Sequence, residues 1–207
     1  MVQISNIKLN LDHQKLDSGG GGHYFLSRPH REFVSLDNVF SAQEVASIIS
    51  IGEDTKLEPG KTSGNDGDDV RKCTVAFLYP NQLTGWIFDK LSKVIHDANQ
   101  FWGFELHGLF QGLQFTKYVA PDEHYTWHAD MGSTVPSRKL SLTVSLSDPE
   151  DYEGGDLELF LSSKPTVMPK SLGTVSVFPS WTVHRVQPIT RGTRYSLVAW
   201  VSGPPFK

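Results

Sequence analysis

The chain has 207 residues, one cysteine and a formal net charge of −4 at pH 7, with 38% apolar and 11% aromatic residues. A single cysteine excludes an internal disulfide, a cysteine-rich zinc site and a cysteine-held iron–sulfur cluster, so any protein-held metal must rest mainly on His and carboxylate ligands. The apolar content supports one folded domain, and the mildly acidic balance argues against non-specific nucleic-acid binding.

In chain order, the first segment, Met1 to Leu16, mixes polar and charged residues among its apolar ones and offers no continuous apolar h-region. No run approaches the roughly 20 apolar residues of a membrane span. With a lone Cys73, the expected setting is the reducing cytoplasm. Gly19 to Gly22 form an unbroken glycine run, which reads as a flexible joint. Residues 1–22 are therefore expected to be an N-terminal arm, with one short strand at Ile4–Leu11, and residues 23–207 a single domain. Ser41-Ala42-Gln43-Glu44 is a capping box, with Phe40 and Val45 placed for a hydrophobic staple. Val45, Ile48 and Ile49 then form one apolar helix face. Glu58 to Asp69, rich in Gly, Asp, Ser and Asn, reads as a long mobile loop, followed by a strand at Thr74–Leu78. A second helix is expected over Leu83 to Asn99, where Trp86, Ile87, Leu91, Val94, Ile95 and Ala98 recur at helical spacing.

From Gly112 the pattern becomes strand-like: Leu113–Val119, Leu140–Leu146, Leu157–Leu161, Thr174–Phe178, Val183–Val186 and Arg194–Val201. Leu140 to Leu146 alternates strictly, as a half-buried strand does. Asp148-Pro149, Gly154-Gly155, Pro179-Ser180 and Arg191-Gly192 supply turns between them. Helices followed by many short strands predict a mainly β fold with flanking α-helices, a jelly roll with the helices on the outside of one sheet.

The chemistry centres on Tyr125-Thr126-Trp127-His128-Ala129-Asp130. Residues i and i+2 of a strand share a face, so His128 and Asp130 can hold one cation together. A lone His-x-Asp also suits a surface turn. His184, at the start of another expected strand, adds the third ligand. Two His and one carboxylate make the facial triad of non-haem Fe(II) oxygenases, although zinc accepts the same donors. Arg194 stands in an otherwise apolar strand ten residues after His184. A buried guanidinium needs a partner, and its fork matches a carboxylate. It can grip one end of a dicarboxylate whose other end chelates iron.

With these residues in view, the chain resembles the 2-oxoglutarate- and Fe(II)-dependent oxygenases of the prolyl 4-hydroxylase superfamily, and in particular small PKHD-type enzymes of bacteria and phages. Tyr118, His128-x-Asp130, Arg138 to Leu142, Leu146 to Leu157, Val177 to Ser180, His184 to Val186, Gly192 to Leu197 and Gly203 to Phe206 carry the resemblance, in order. It implies a double-stranded β-helix, Fe(II), 2-oxoglutarate and O2, with ascorbate as a reductant. It implies His128, Asp130 and His184 as iron ligands and Arg194, Tyr118 and Trp200 around the cosubstrate. Arg138 matches a position near the substrate mouth. Tyr125, Arg71 and Trp181 are further candidates for substrate contact, and Trp127, Trp181 and Trp200 for a dry wall. The remaining histidines are expected at the surface.

The implied reaction hydroxylates a C–H bond, foremost that of a prolyl residue in a peptide or protein, with release of succinate and CO2. Alternatives are the same chemistry on a free amino acid or another small molecule, or a non-catalytic jelly-roll binding module. Nucleic acid ranks low: demethylases of the superfamily carry a second Arg six residues after the first, where this chain has Trp200. A zinc hydrolase lacks a candidate general base near the triad. Nothing in the sequence sets the oligomeric state.

Overall fold

The computed structural model describes residues 31–61, 67–132, 135 and 137–206. The expected arm, its strand at Ile4–Leu11 and its glycine joint lie outside the described residues. The elements in chain order are β1 (Val34–Leu36), α1 (Ala42–Asp54), β2 (Glu58–Pro59), α2 (Gly67–Val70), β3 (Arg71–Lys72), β4 (Thr74–Leu78), α3 (Gly85–Asn99) and β5 (Leu113–Val119). They continue with β6 (His124–His128), β7 (Arg138–Ser145), β8 (Tyr152–Gly154), β9 (Leu157–Leu159), β10 (Thr166–Val167), β11 (Val175–Pro179), β12 (His184–Val186) and β13 (Ile189–Ser202).

The strands form two antiparallel sheets. The larger has eight strands, in the order β1-β11-β7-β13-β5-β4-β2, with β8 pairing β13 off this path. The smaller runs β10-β9-β12-β6-β3. Two antiparallel sheets of this kind agree with the jelly roll expected from the strand pattern.

Alternation along the central strands separates two environments. Leu113 and Phe115 of β5, Leu140, Leu142 and Val144 of β7, and Leu197, Ala199 and Val201 of β13 join one core cluster. Val45 and Ile48 of α1 and Ile87, Leu91, Val94, Ile95 and Ala98 of α3 complete it. Each fully buried aliphatic side chain there contributes about 1.5–3 kcal/mol relative to exposure. The two helices thus cover the outer face of the large sheet.

Helix α1 begins as its residues dictate. The Ser41 hydroxyl accepts from the Glu44 amide and the Glu44 carboxylate accepts from the Ser41 amide, closing the capping box. Phe40 and Val45 are both buried in the core beneath it. The helix packs so closely on the sheet that a Cβ on Gly52 would lie 2.5 Å from the Phe115 ring.

Two expectations change. Strand β7 is buried along both faces except at its ends, so it is not half-buried. Its Ser141 and Thr143 face an internal cavity instead of bulk solvent. The segment read as one loop, Glu58 to Asp69, contains a short strand paired with β4 and the start of the helical turn α2. Thr62 to Asp66 lie outside the described residues.

Candidate functional site

The other face of the large sheet looks across to the small sheet, and the space between is a cavity of about 480 Å³. Gln114, Thr116 and Tyr118 of β5 enter it, as do Arg194, Ser196, Val198 and Trp200 of β13. His128, Asp130 and His184 reach it from the opposite side.

Strand register brings the two histidines together. His184 of β12 stands directly across from His128 of β6. Asp130 comes from the loop just past β6, so the pair does not share one strand face as the i, i+2 spacing suggested. The loop is tied back by the Met131 amide, which donates to the Ser180 carbonyl at 2.9 Å. The result is a cluster whose donor atoms all lie within 4.8 Å of one another. His128 Nε2 is 3.9 Å from Asp130 Oδ1, and His184 Nε2 is 3.5 Å from Asp130 Oδ2.

Each imidazole is oriented from behind by the carbonyl two residues earlier. His128 Nδ1–H donates to Thr126 O at 2.8 Å, and His184 Nδ1–H donates to Thr182 O at 2.9 Å. Both tautomers are thereby set, and both Nε2 lone pairs turn toward Asp130. Burial, reinforced by the neighbouring His184, lowers the His128 pKa to about 4, which keeps this ring neutral and ready to donate its lone pair. Burial works against the charge on Asp130, but the two imidazoles and the Ser141 hydroxyl outweigh it and hold its carboxyl below the usual value. Ser141 Oγ donates to Asp130 Oδ2 at 2.6 Å, and Ser180 Oγ lies 3.0 Å from Ser141 Oγ. The Trp200 indole N–H favours the carboxylate from beyond hydrogen-bond reach.

Two oriented imidazoles and one ionised carboxylate are the donor set of a mononuclear iron site. Two buried N–H groups fit the same picture. Trp200 Nε1 and Arg138 Nε have no hydrogen-bond partner among the described residues. Buried polar groups of this kind call for a ligand or water beside them.

The basic end of the cavity lies across from this cluster. Arg194 is 6% exposed, and among the described residues its only hydrogen bond is to Ser196 Oγ at 3.4 Å. Its guanidinium lies over the ring of Tyr118, its register partner on β5, at 5.5 Å. Tyr118 is itself buried, and that burial pushes its hydroxyl well above the ordinary tyrosine range, so it stays a neutral donor. Gly155, with φ +61°, leaves room for this arginine: a Cβ there would stand 3.0 Å from Arg194 Cδ.

The structure therefore brings nine of the ten sequence candidates into one cavity: His128, Asp130, His184, Arg194, Tyr118, Trp200, Tyr125, Arg138 and Arg71. Trp181 is the exception. It is 41% exposed and packs against Phe104 and Phe206, outside the cavity lining. Trp127 likewise meets Phe160 edge-to-face and lies under Arg185, outside the cavity lining, so Trp200 alone of the three indoles walls the site. Isolated indoles carry no sequence signal for which side of a sheet they leave. Of the other histidines, His124 bonds the carbonyls of Asp122 and Asp69 and helps seat α2.

Residues that sequence reasoning passed over are Ser141, which donates to Asp130, Ser180, whose hydroxyl pairs with that of Ser141, and Phe77, Tyr79 and Phe110, which line the mouth while 40%, 62% and 72% exposed. The alternation of Ser141 with leucines marked its face but not what that face meets.

The comparisons agree with this geometry. Residues 113–202 match the 2OG-Fe(II) oxygenase superfamily. A PKHD-type hydroxylase of Gloeothece citriformis (strain PCC 7424) is 39% identical over 181 residues, covering 81% of this chain and 76% of that protein. One of Colwellia psychrerythraea is 30% identical over 178 residues, covering 80% and 76%. Among solved structures, a Pseudomonas putida prolyl-4-hydroxylase superposes with TM-score 0.70 at 19% identity, covering 84% of this chain and 93% of its own. A prolyl hydroxylase from Trichoplax adhaerens, in complex with a hypoxia inducible factor peptide fragment, gives 0.72 at 17% identity, covering 83% and 84%. The structural likenesses establish the fold, and the sequence relatives establish the family. The chain belongs to the 2OG-Fe(II) oxygenase superfamily, among PKHD-type hydroxylases, and is an oxidoreductase.

Proposed function

We propose that the chain hydroxylates a prolyl residue in a peptide or protein, with His128, Asp130 and His184 holding Fe(II). The single observation that carries the iron assignment is the oriented triad, with both Nε2 atoms freed by backbone carbonyls on Nδ1. When bound, Fe(II) supplies the oxidising chemistry that couples decarboxylation of 2-oxoglutarate by O2 to insertion of one oxygen atom into a substrate C–H bond.

The protein's part is binding, orientation and exclusion of water. Arg194, buried without a carboxylate among the described residues, takes the distal carboxylate of 2-oxoglutarate, and the neutral Tyr118 hydroxyl beside it donates a further hydrogen bond. Leu157, Phe178, Val186 and Val198 supply apolar walls that keep the centre dry. Tyr125 lies nearly parallel to the His128 ring, with centroids 3.5 Å apart, and limits its rotation. A peptide substrate is favoured by the exposed aromatic side chains Phe77, Tyr79 and Phe110 at the mouth, which offer stacking area to a chain wider than the cavity. The Trichoplax neighbour bound to a peptide fragment supports the same choice.

The test uses anaerobically purified protein, Fe(II), 2-oxoglutarate and a library of proline-containing peptides. O2 is then admitted, and succinate and the mass gain of one oxygen atom are followed, with and without ascorbate. His184→Ala is expected to lose both metal and turnover. Arg194→Ala is expected to raise the 2-oxoglutarate requirement by roughly 10- to 100-fold, the range for one lost charge-assisted pair. Succinate formation by His184→Ala at the wild-type rate would sink the triad assignment.

A further inference from the structure

Apart from Arg31, whose guanidinium lies over the Phe101 ring, the described arginines divide by location. Arg185 and Arg191, outside the cavity, donate to Glu158 and Glu153 at 2.6 and 2.8 Å. Arg71, Arg138 and Arg194 line the cavity, and none has a carboxylate side chain as hydrogen-bond partner among the described residues. The one acid in the lining is Asp130, already committed to the histidines. Arg194 accounts for one end of the cosubstrate. Arg138 is spoken for in part: it donates to the Asp130 carbonyl and Gln111 Oε1 and stacks on Trp200 at 4.0 Å. Arg71 is left over.

Arg71 is 8% exposed. Its Nε donates to Cys73 Sγ at 3.2 Å, a weak acceptor, and its Nη1 to the Lys61 carbonyl at 3.4 Å, a long contact; neither partner carries a negative charge. Its Nη2 has no partner among the described residues, yet is not sealed from the cavity it lines. A guanidinium removed from water without an anion is costly, and its planar fork is shaped for a carboxylate. Strand register fixes where that carboxylate would sit. Arg71 is the cross-strand partner of Tyr125, and its guanidinium lies over the Tyr125 ring at 4.7 Å. The same ring stacks on His128. One aromatic ring therefore touches both the Arg71 guanidinium, which has no carboxylate partner among the described residues, and a residue of the His-Asp-His cluster.

We infer that the substrate presents a carboxylate to Arg71, close to the carbon that is hydroxylated. This deepens, and rests on, the oxygenase reading of the cavity. The carboxylate belongs to the hydroxylated residue or to one beside it, because Arg71 and the cluster share one ring. An acidic side chain next to proline, a chain-terminal prolyl carboxylate and a free amino acid all present this group.

The experiment compares these sources on the full chain. Four probes are titrated calorimetrically, without O2, into protein loaded with Mn(II) and 2-oxoglutarate: an amidated neutral proline peptide, the same peptide with Glu next to proline, the same peptide ending in a free prolyl carboxylate, and L-proline. At least one carboxylate-bearing probe is expected to bind about 10-fold or more tightly than the neutral amide, as for a hydrogen-bonded charge pair. Arg71→Gln is expected to erase that preference. Arg71→Lys, which keeps the charge, is expected to retain part of it and guards against a simple folding defect. Affinity for 2-oxoglutarate is expected to fall far less in Arg71→Gln than in Arg194→Gln. Equal binding of all probes, or no binding by any, overturns the inference. So does a loss of 2-oxoglutarate affinity in Arg71→Gln as large as in Arg194→Gln, which would place Arg71 in the cosubstrate site. Failure of the wild-type protein to bind 2-oxoglutarate with metal would instead sink the oxygenase reading itself.

Discussion

Asp130 must serve two histidines at once, and its second oxygen is held by Ser141 at 2.6 Å. A hydroxyl donor that orients a ligating carboxylate commonly controls metal affinity without touching the metal. Ser141→Ala is therefore expected to weaken Fe(II) or Mn(II) binding by roughly 10- to 100-fold, measured by metal titration, while the thermal melting point of the metal-free protein changes little. Unchanged metal affinity would show that the two imidazoles orient Asp130 unaided. The histidine and aspartate types, and their spacing to Arg194, were legible because the chemistry permits few alternatives. Ser141 was not, since a serine alternating with leucines looks the same whether it faces water or a cavity.

At the scale of the element, helix α1 and strands β5, β7 and β13 show why the site's scaffold is rigid. Their apolar faces share one core with α3. Gly52 permits the close approach of α1 to Phe115. Gly52→Ala places a methyl group against that ring, and is expected to cost about 1–3 kcal/mol as overpacking. The urea midpoint reads this directly, and an unchanged or raised midpoint would mean that the ring moves aside freely. The capping box of α1 and the strand Thr74–Leu78 were readable to the residue, because both rest on local signals. The span of β13 was not. It starts at Ile189, five residues before the expected Arg194, because its first part pairs with β8, a partner no local pattern announces.

For the molecule as a whole, burial of the cluster of His128, Asp130 and His184 ties stability to pH. The His128 imidazole has its ordinary pKa of 6.5 in the unfolded chain and about 4 in the fold. Between those values the unfolded state binds more protons, so stability rises with pH in that interval and is lost on acidification from about 6.5 toward about 4. Asp130, whose carboxyl is lowered on folding, acts in the same sense at still lower pH. The urea midpoint of metal-free protein is expected to fall between pH 7 and pH 5, and His128→Gln to flatten that fall. A flat wild-type profile would contradict the burial argument. No described helix is long and apolar enough to cross a membrane.

One cysteine already limited the donors of any metal mainly to histidines and acids, and alternation already pointed to the strand-rich class. The tertiary structure decided the rest. It set His184 across from His128, turned the Ser and Thr faces of β5, β7 and β13 inward, excluded Trp181 and Trp127 from the cavity, and left Arg71 inside it without an acid among the described residues. The reason is physical: ligand identity is a property of single side chains, whereas which side of a sheet is dry, and which charges go unpaired there, depends on pairings between strands far apart in the chain.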